Sequence, residues 1–181
     1  MSVASAPRRL LRSSGRCPRR FQQGNGLRVQ IMRKGRFAVV FLDSNVWTYA
    51  FISQDVAKMD VALEITNRAL LDAGFCISSQ VVSECANVLF RKGGYTTPQV
   101  VACIGRMEQI DTIVQVTTHI VRRAAEIKTI YGLQFYDAQI IAAAEKAGCD
   151  EVWSEDMGDG QTYCGVKCVN PFAADFTGLG E

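Results

Sequence analysis

The chain has 181 residues, 48% of them apolar, enough for one folded domain of ordinary size. No apolar run reaches the ~20 residues that a membrane helix needs, so a helical membrane protein is excluded and a soluble one is expected. The net charge of +2 conceals two unlike parts: residues 1–36 hold ten Lys/Arg and no acid, while in residues 37–181 the other ten bases face all 18 acids, a formal charge of −8. So acidic a body disfavours nucleic acid unless bound cations neutralise some of its carboxylates. Seven cysteines, an odd number with no secretory signal, point to free thiols in a reducing cytoplasm. Cys164 and Cys168 stand four apart, but His119 is the only histidine, which makes a poor zinc site.

In chain order, the Arg-, Ser- and Gly-rich residues 1–36 come first. They read as a disordered basic arm that touches RNA phosphates, as a transit peptide, or as translation drawn from too early a start codon. The last is the expectation, since "MRKGRFAVVFLDSNVW" makes a natural beginning at Met32. "FAVVFLD" (37–43) is a continuous apolar run and predicts a parallel strand buried on both faces. "SNVWTYAFI" follows with Ser44 and Asn45 as helix caps. Residues 56–74 have helical spacing and stop at Gly74, and "FCIS" (75–78) is a short strand. Residues 79–94 form a helix with Ser79 near its start, and 97–110 open with Thr97 and Pro98, a cap followed by a first-turn proline. "DTIVQVT" (111–117) alternates and is β-branched, hence a strand. Helices over 119–132 and 135–148 follow, then a strand at 150–156 that runs into acids, and a last strand within 165–172.

Strands alternating with helices predict an α/β fold with a mostly parallel sheet covered on both faces. In such sheets ligands bind beyond the carboxyl ends of the strands. Four segments place an acid there: Asp43 after the first strand, Glu84 early in the helix after "FCIS", Asp137 in the first turn of "FYDAQIIAAAEK", and Asp156 after "EVWS". Each alone has an ordinary explanation. Asp43 suits a helix cap, Glu84 and Asp137 suit the positive end of a helix dipole, and Asp156 suits a polar turn. Together at one end of a sheet they match the needs of a hard divalent cation, which takes oxygen ligands and keeps water. A single histidine excludes a two-histidine ribonuclease, and neither a phosphate-binding G-x-x-x-x-G-K-[ST] loop nor a G-x-S-x-G elbow is present. Acid-only chemistry points to metal-assisted attack of water on a phosphodiester. Clustered carboxylates without metal should titrate above their ordinary range.

The stretches "FLDSNVWTYAF", "ISSQVVSECANVL", "GLQFYDAQIIAAAEKAGCDEVWSEDM" and "VNPF" resemble a PIN domain, and are most similar to the VapC-type toxins of bacterial toxin–antitoxin pairs. The resemblance covers about residues 37–173. It implies a three-layer α/β/α fold over a domain of residues 37–175, and a Mg²⁺- or Mn²⁺-dependent endoribonuclease, the toxin of a type II pair. By position, Asp43, Glu84, Asp137 and Asp156 match the family's four acids. The first, third and fourth would bind metal, and Glu84 would complete the site through water or a second metal. Ser154 matches the small polar residue that holds the first acid; Asn45 supports it, and Asp159 is an outer acid. The resemblance also implies an RNA substrate, a small antitoxin that enters the acidic pocket, and a homodimer. Arg91 with Lys92, or Arg122, Arg123 and Lys128, are basic groups suited to the rim or to a solvated helix face. The apolar Trp47, Tyr49 and Phe51 suit an interface or the core. Three rivals stand beside this reading: a non-catalytic PIN-like module for nucleic acid or protein, a structure-specific DNA nuclease, and a haloacid-dehalogenase-like phosphatase. The second lacks its extra clamps here, and the third lacks the second Asp of D-x-D.

Overall fold

The computed structural model describes residues 38–179. The basic stretch 1–36, with Met32 as its expected internal start, lies outside them. Among the described residues, six strands and six helices follow in this order: β1 (Val40–Leu42), α1 (Ser44–Ile52), α2 (Val56–Leu71), β2 (Phe75–Ser78), α3 (Ser79–Arg91), α4 (Thr97–Met107), β3 (Thr112–Val114), α5 (Thr118–Tyr131), α6 (Phe135–Ala147), β4 (Glu151–Trp153), β5 (Thr162–Tyr163) and β6 (Val166–Val169). The strands form one sheet in the order β3-β2-β1-β4-β6-β5, parallel throughout except for the β5–β6 pair. Helices flank it, giving the expected α/β/α layering.

The apolar run of the first strand is buried on both faces as predicted: Phe41 and Leu42 have no exposed surface, and neither do Ile77 of β2 and Val152 of β4. α6 explains its own composition. Ala138–Ala144 are all buried, so small and apolar residues must face every direction. This helix packs against β2, β3, β4 and β6.

The chain leaves β1 toward β2 and β3, then returns to place β4 on the other side of β1. A parallel sheet is splayed at such a reversal, and the crevice at the strands' carboxyl ends receives ligands. The register sets Leu42 beside Trp153. The next residues, Asp43 and Ser154, are therefore neighbours although far apart in sequence.

Several ends differ from the expected ones. The caps fall one residue earlier, on Asp43, Ser78 and Thr96, because each of these keeps an extended backbone with its oxygen free to serve the coming turn. The Asp43 carboxylate accepts from the Ser44 N–H at 2.6 Å, and Ser78 Oγ from the Val81 N–H at 3.4 Å. The strand expected over 111–117 keeps only Thr112–Val114. β5 was not expected. It pairs back on β6 through a two-residue turn in which Cys164 (φ 52°) and Gly165 (φ 85°) both have positive φ, the pattern of a type I′ hairpin.

Candidate active site

Ser154 is the hub of the crevice and is fully buried. Its hydroxyl donates to Asp43 Oδ2 at 2.7 Å. It accepts from Asn45 Nδ2 at 3.0 Å and from the Asp156 N–H at 3.2 Å. The other Asn45 amide hydrogen reaches Asp156 Oδ2 at 3.2 Å. One hydroxyl thus ties the ends of β1 and β4 together and fixes Asp43 and Asp156 relative to each other. Asn45 Oδ1 is buried and has no hydrogen-bond partner among the described residues.

Asp43 is 5% exposed. Burial pushes its carboxyl from the ordinary 3.8 up to about 6. Bonds from Ser154 and the Ser44 N–H pull it partly back, and the charges of Glu84 and Asp156 push it further up. Burial also raises Asp137, followed by the charges of Asp156 and Glu84. The four acids therefore share one electrostatic neighbourhood. The upward shift expected from clustering is present for these two, but desolvation leads it and mutual repulsion comes second.

Glu84 is held by a feature that the sequence reading missed. Gln80, one helical turn earlier on α3, donates from Nε2 to Glu84 Oε1 at 2.8 Å and to the Tyr136 carbonyl at 3.2 Å. Gln139 of α6 donates in turn to Gln80 Oε1 at 2.6 Å. This buried amide relay links the two acid-bearing helices. Its signal was available: two glutamines inside apolar helical runs, Gln80 four residues before Glu84 and Gln139 two after Asp137.

The donor set suits a hard cation, being carboxylates plus the orphaned Asn45 amide oxygen. Among the described residues, no three or more His, Cys, Asp or Glu side chains close into a metal clasp. Asp43, Glu84 and Asp156 each lean on a neutral neighbour instead, namely Ser154, Gln80 and Asn45.

A model of the PIN domain family matches residues 40–158. The chain belongs to the PIN domain family. No curated protein matches it significantly. Among solved structures it is similar to VapC20 of Mycobacterium tuberculosis, described as a sarcin–ricin loop cleaving toxin, with 21% identity, a TM-score of 0.54, and coverage of 65% of this chain and 91% of that one. At that identity the likeness speaks to fold.

The other expected residues of the PIN domain lie at varied places relative to this centre. Asp159 accepts from the Asn170 N–H at 2.8 Å and lines a separate cleft with Glu151 and Lys167. It braces a loop rather than joining the Ser154 network. Arg123 is corrected. It is only 6% exposed and grips Glu145 at 2.8 Å and Glu126 at 2.8 Å, so it staples α5 to α6 and is no rim cation. Arg122 and Lys128 are exposed on α5. Lys92 lines a cleft of about 560 Å³ that also includes Asn45 and Asp156. Trp47 is core, with no exposed surface. Tyr49 faces the same cleft, its hydroxyl on Glu155, which also pairs with Lys58.

Proposed function

We propose that residues 37–175 form a divalent-metal-dependent endoribonuclease domain of the VapC toxin type. The observation that carries this reading is the convergence of Asp43, Glu84, Asp137 and Asp156 in one field around the Ser154 hub at the β1/β4 reversal. Asp43, Asp137 and Asp156 would hold Mg²⁺ or Mn²⁺, with Glu84 joined to the set through water. A bound cation of this kind supplies Lewis acidity toward water and the phosphodiester.

The chain's own groups do the rest. Ser154 and the Ser44 N–H hold the Asp43 carboxylate in one orientation, so little reorganisation is needed when substrate arrives. The Gln80–Gln139 relay fixes Glu84 by Oε1. Its Oε2, which makes no hydrogen bond among the described residues, orients the attacking water and accepts its proton. The water oxygen bonds to phosphorus as the bond to the 3′ oxygen breaks, and that oxygen takes a proton from solvent. The products carry 5′-phosphate and 3′-hydroxyl ends, since no step uses the 2′-hydroxyl. Lys92 in the adjoining cleft offsets the charge of the approaching phosphates. A small antitoxin would be the natural restraint on such an enzyme, and a homodimer its assembly, by analogy with its toxin-type relatives.

The test is inducible expression of the wild type beside Asp43→Asn and Asp137→Asn, with purified protein incubated on labelled RNA. The wild type should arrest growth and cut RNA in Mn²⁺ but not in chelator; both variants should do neither. If all three are equally harmless and any cleavage ignores chelator, the nuclease reading fails.

A further inference from the structure

A second cleft, of about 690 Å³, runs along α3 and meets the site at Glu84. Its chemistry differs from that of the cleft holding Lys58 and Lys92. Apart from Glu84, its walls carry no charge; they are formed by amides and hydroxyls such as Ser83, Asn87 and Gln139, by Val116 and by Tyr136. Ser83 and Asn87 lie one turn apart on the same face of α3, and neither side chain has a hydrogen-bond partner among the described residues. Tyr136 is 64% exposed, although it immediately precedes Asp137. Its ring is propped edge-on by Phe135, with centroids 5.7 Å apart at 72°, and its carbonyl is held by Gln80. A phosphate would call for cations. An open aromatic ring beside uncharged donors and acceptors calls for a flat heterocycle with hydrogen-bonding edges.

We propose that this cleft receives one unpaired nucleobase of the RNA, stacked on Tyr136 and read at its edge by Asn87 and Ser83, adjacent to the phosphodiester that is cut. The inference rests on the nuclease reading for its RNA, but it makes a separate claim about binding.

The experiment titrates labelled single-stranded RNA homopolymers, and a strand with abasic positions, into full-length protein carrying Asp43→Asn so that nothing is cut. One or two bases should bind more tightly than the others, and the abasic strand should bind weakly. Adding Tyr136→Ala should weaken binding roughly tenfold or more, while Tyr136→Phe keeps it. Asn87→Ala should narrow the difference between bases and leave the dependence on Tyr136. Because Tyr136 is exposed, thermal midpoints should stay level and rule out unfolding. Equal binding by the Ala and Phe variants, an abasic strand as tight as the rest, or no RNA binding at all overturns the subsite. Parallel cleavage by protein with Asp43 intact separates the two claims. Cutting that ignores Tyr136 sinks the subsite alone, and Tyr136-dependent binding without any cutting sinks the nuclease reading alone.

Discussion

A buried carboxyl pushed up to about 6 makes Asp43 a cost to the metal-free fold at neutral pH. The folded state holds the proton more tightly than the unfolded chain, so stability is greatest below about pH 4, falls as pH rises through about 6, and is level above. Asp43→Asn keeps the shape and removes the charge. At pH 7 to 8 it should raise the unfolding free energy without metal by about 1–3 kcal/mol while abolishing cleavage, and the gain should vanish near pH 4. Denaturant melts at both pH values would check this; a less stable variant at pH 7 would contradict it. Gln139→Ala works oppositely. It strands Gln80 Oε1 in a buried position, costs about 1–3 kcal/mol, and loosens Glu84, so cleavage should fall even where the protein remains folded. At this scale the sequence displayed the four acids, because charge inside apolar runs stands out. It hid the order of causes at Asp43, since burial depends on neighbours brought from distant segments. It hid the fate of Arg123 for the same reason: whether a helical cation faces water or Glu145 is decided by how α5 meets α6.

Among the elements, helical spacing and capping signals placed the helices, and apolar or β-branched runs placed the parallel strands, short as these are. The hairpin strand β5 escaped notice. Two residues give no period, and its turn carries Cys rather than Asn or Asp before Gly165. Positive φ is costly at Cys164, by roughly 1 kcal/mol relative to a residue that tolerates it. Its sulfur meets the Arg123 guanidinium at 3.4 Å and the Tyr131 hydroxyl at 4.0 Å, and sulfur is a weak hydrogen-bonding atom. Cys164→Asn should therefore stabilise the fold by up to about 1 kcal/mol, or a rise of about 2–4 °C in melting temperature. Calorimetry would show it; a fall of that size would mean that the sulfur outweighs the turn.

For the molecule as a whole, the charge of −8 over residues 37–181 and the shared field of Asp43, Glu84, Asp137 and Asp156 would, on the proposed reading, make cation binding and folding one equilibrium. Mn²⁺ at a hundredfold excess over its dissociation constant should add about 2.7 kcal/mol to the unfolding free energy. Asp137→Asn should lose most of that gain, and Ca²⁺ or Mg²⁺ should give part of it. Scanning fluorimetry with and without chelator measures the shift, and identical shifts in wild type and variant would show that the ion sits elsewhere. The layout behind this was legible as an order of strands and helices, but the reversal at β1/β4, which brings Asp43 and Ser154 side by side, is a property of topology that no local stretch encodes.

The sheet ends on both sides in strands too short to invite another: three residues in β3 and two in β5. Just past β3, the Val116 N–H is already taken by Ser79 Oγ at 3.0 Å. A second molecule arriving edge-on would find almost no free backbone ladder to extend, so the protein is guarded against fibre-like growth.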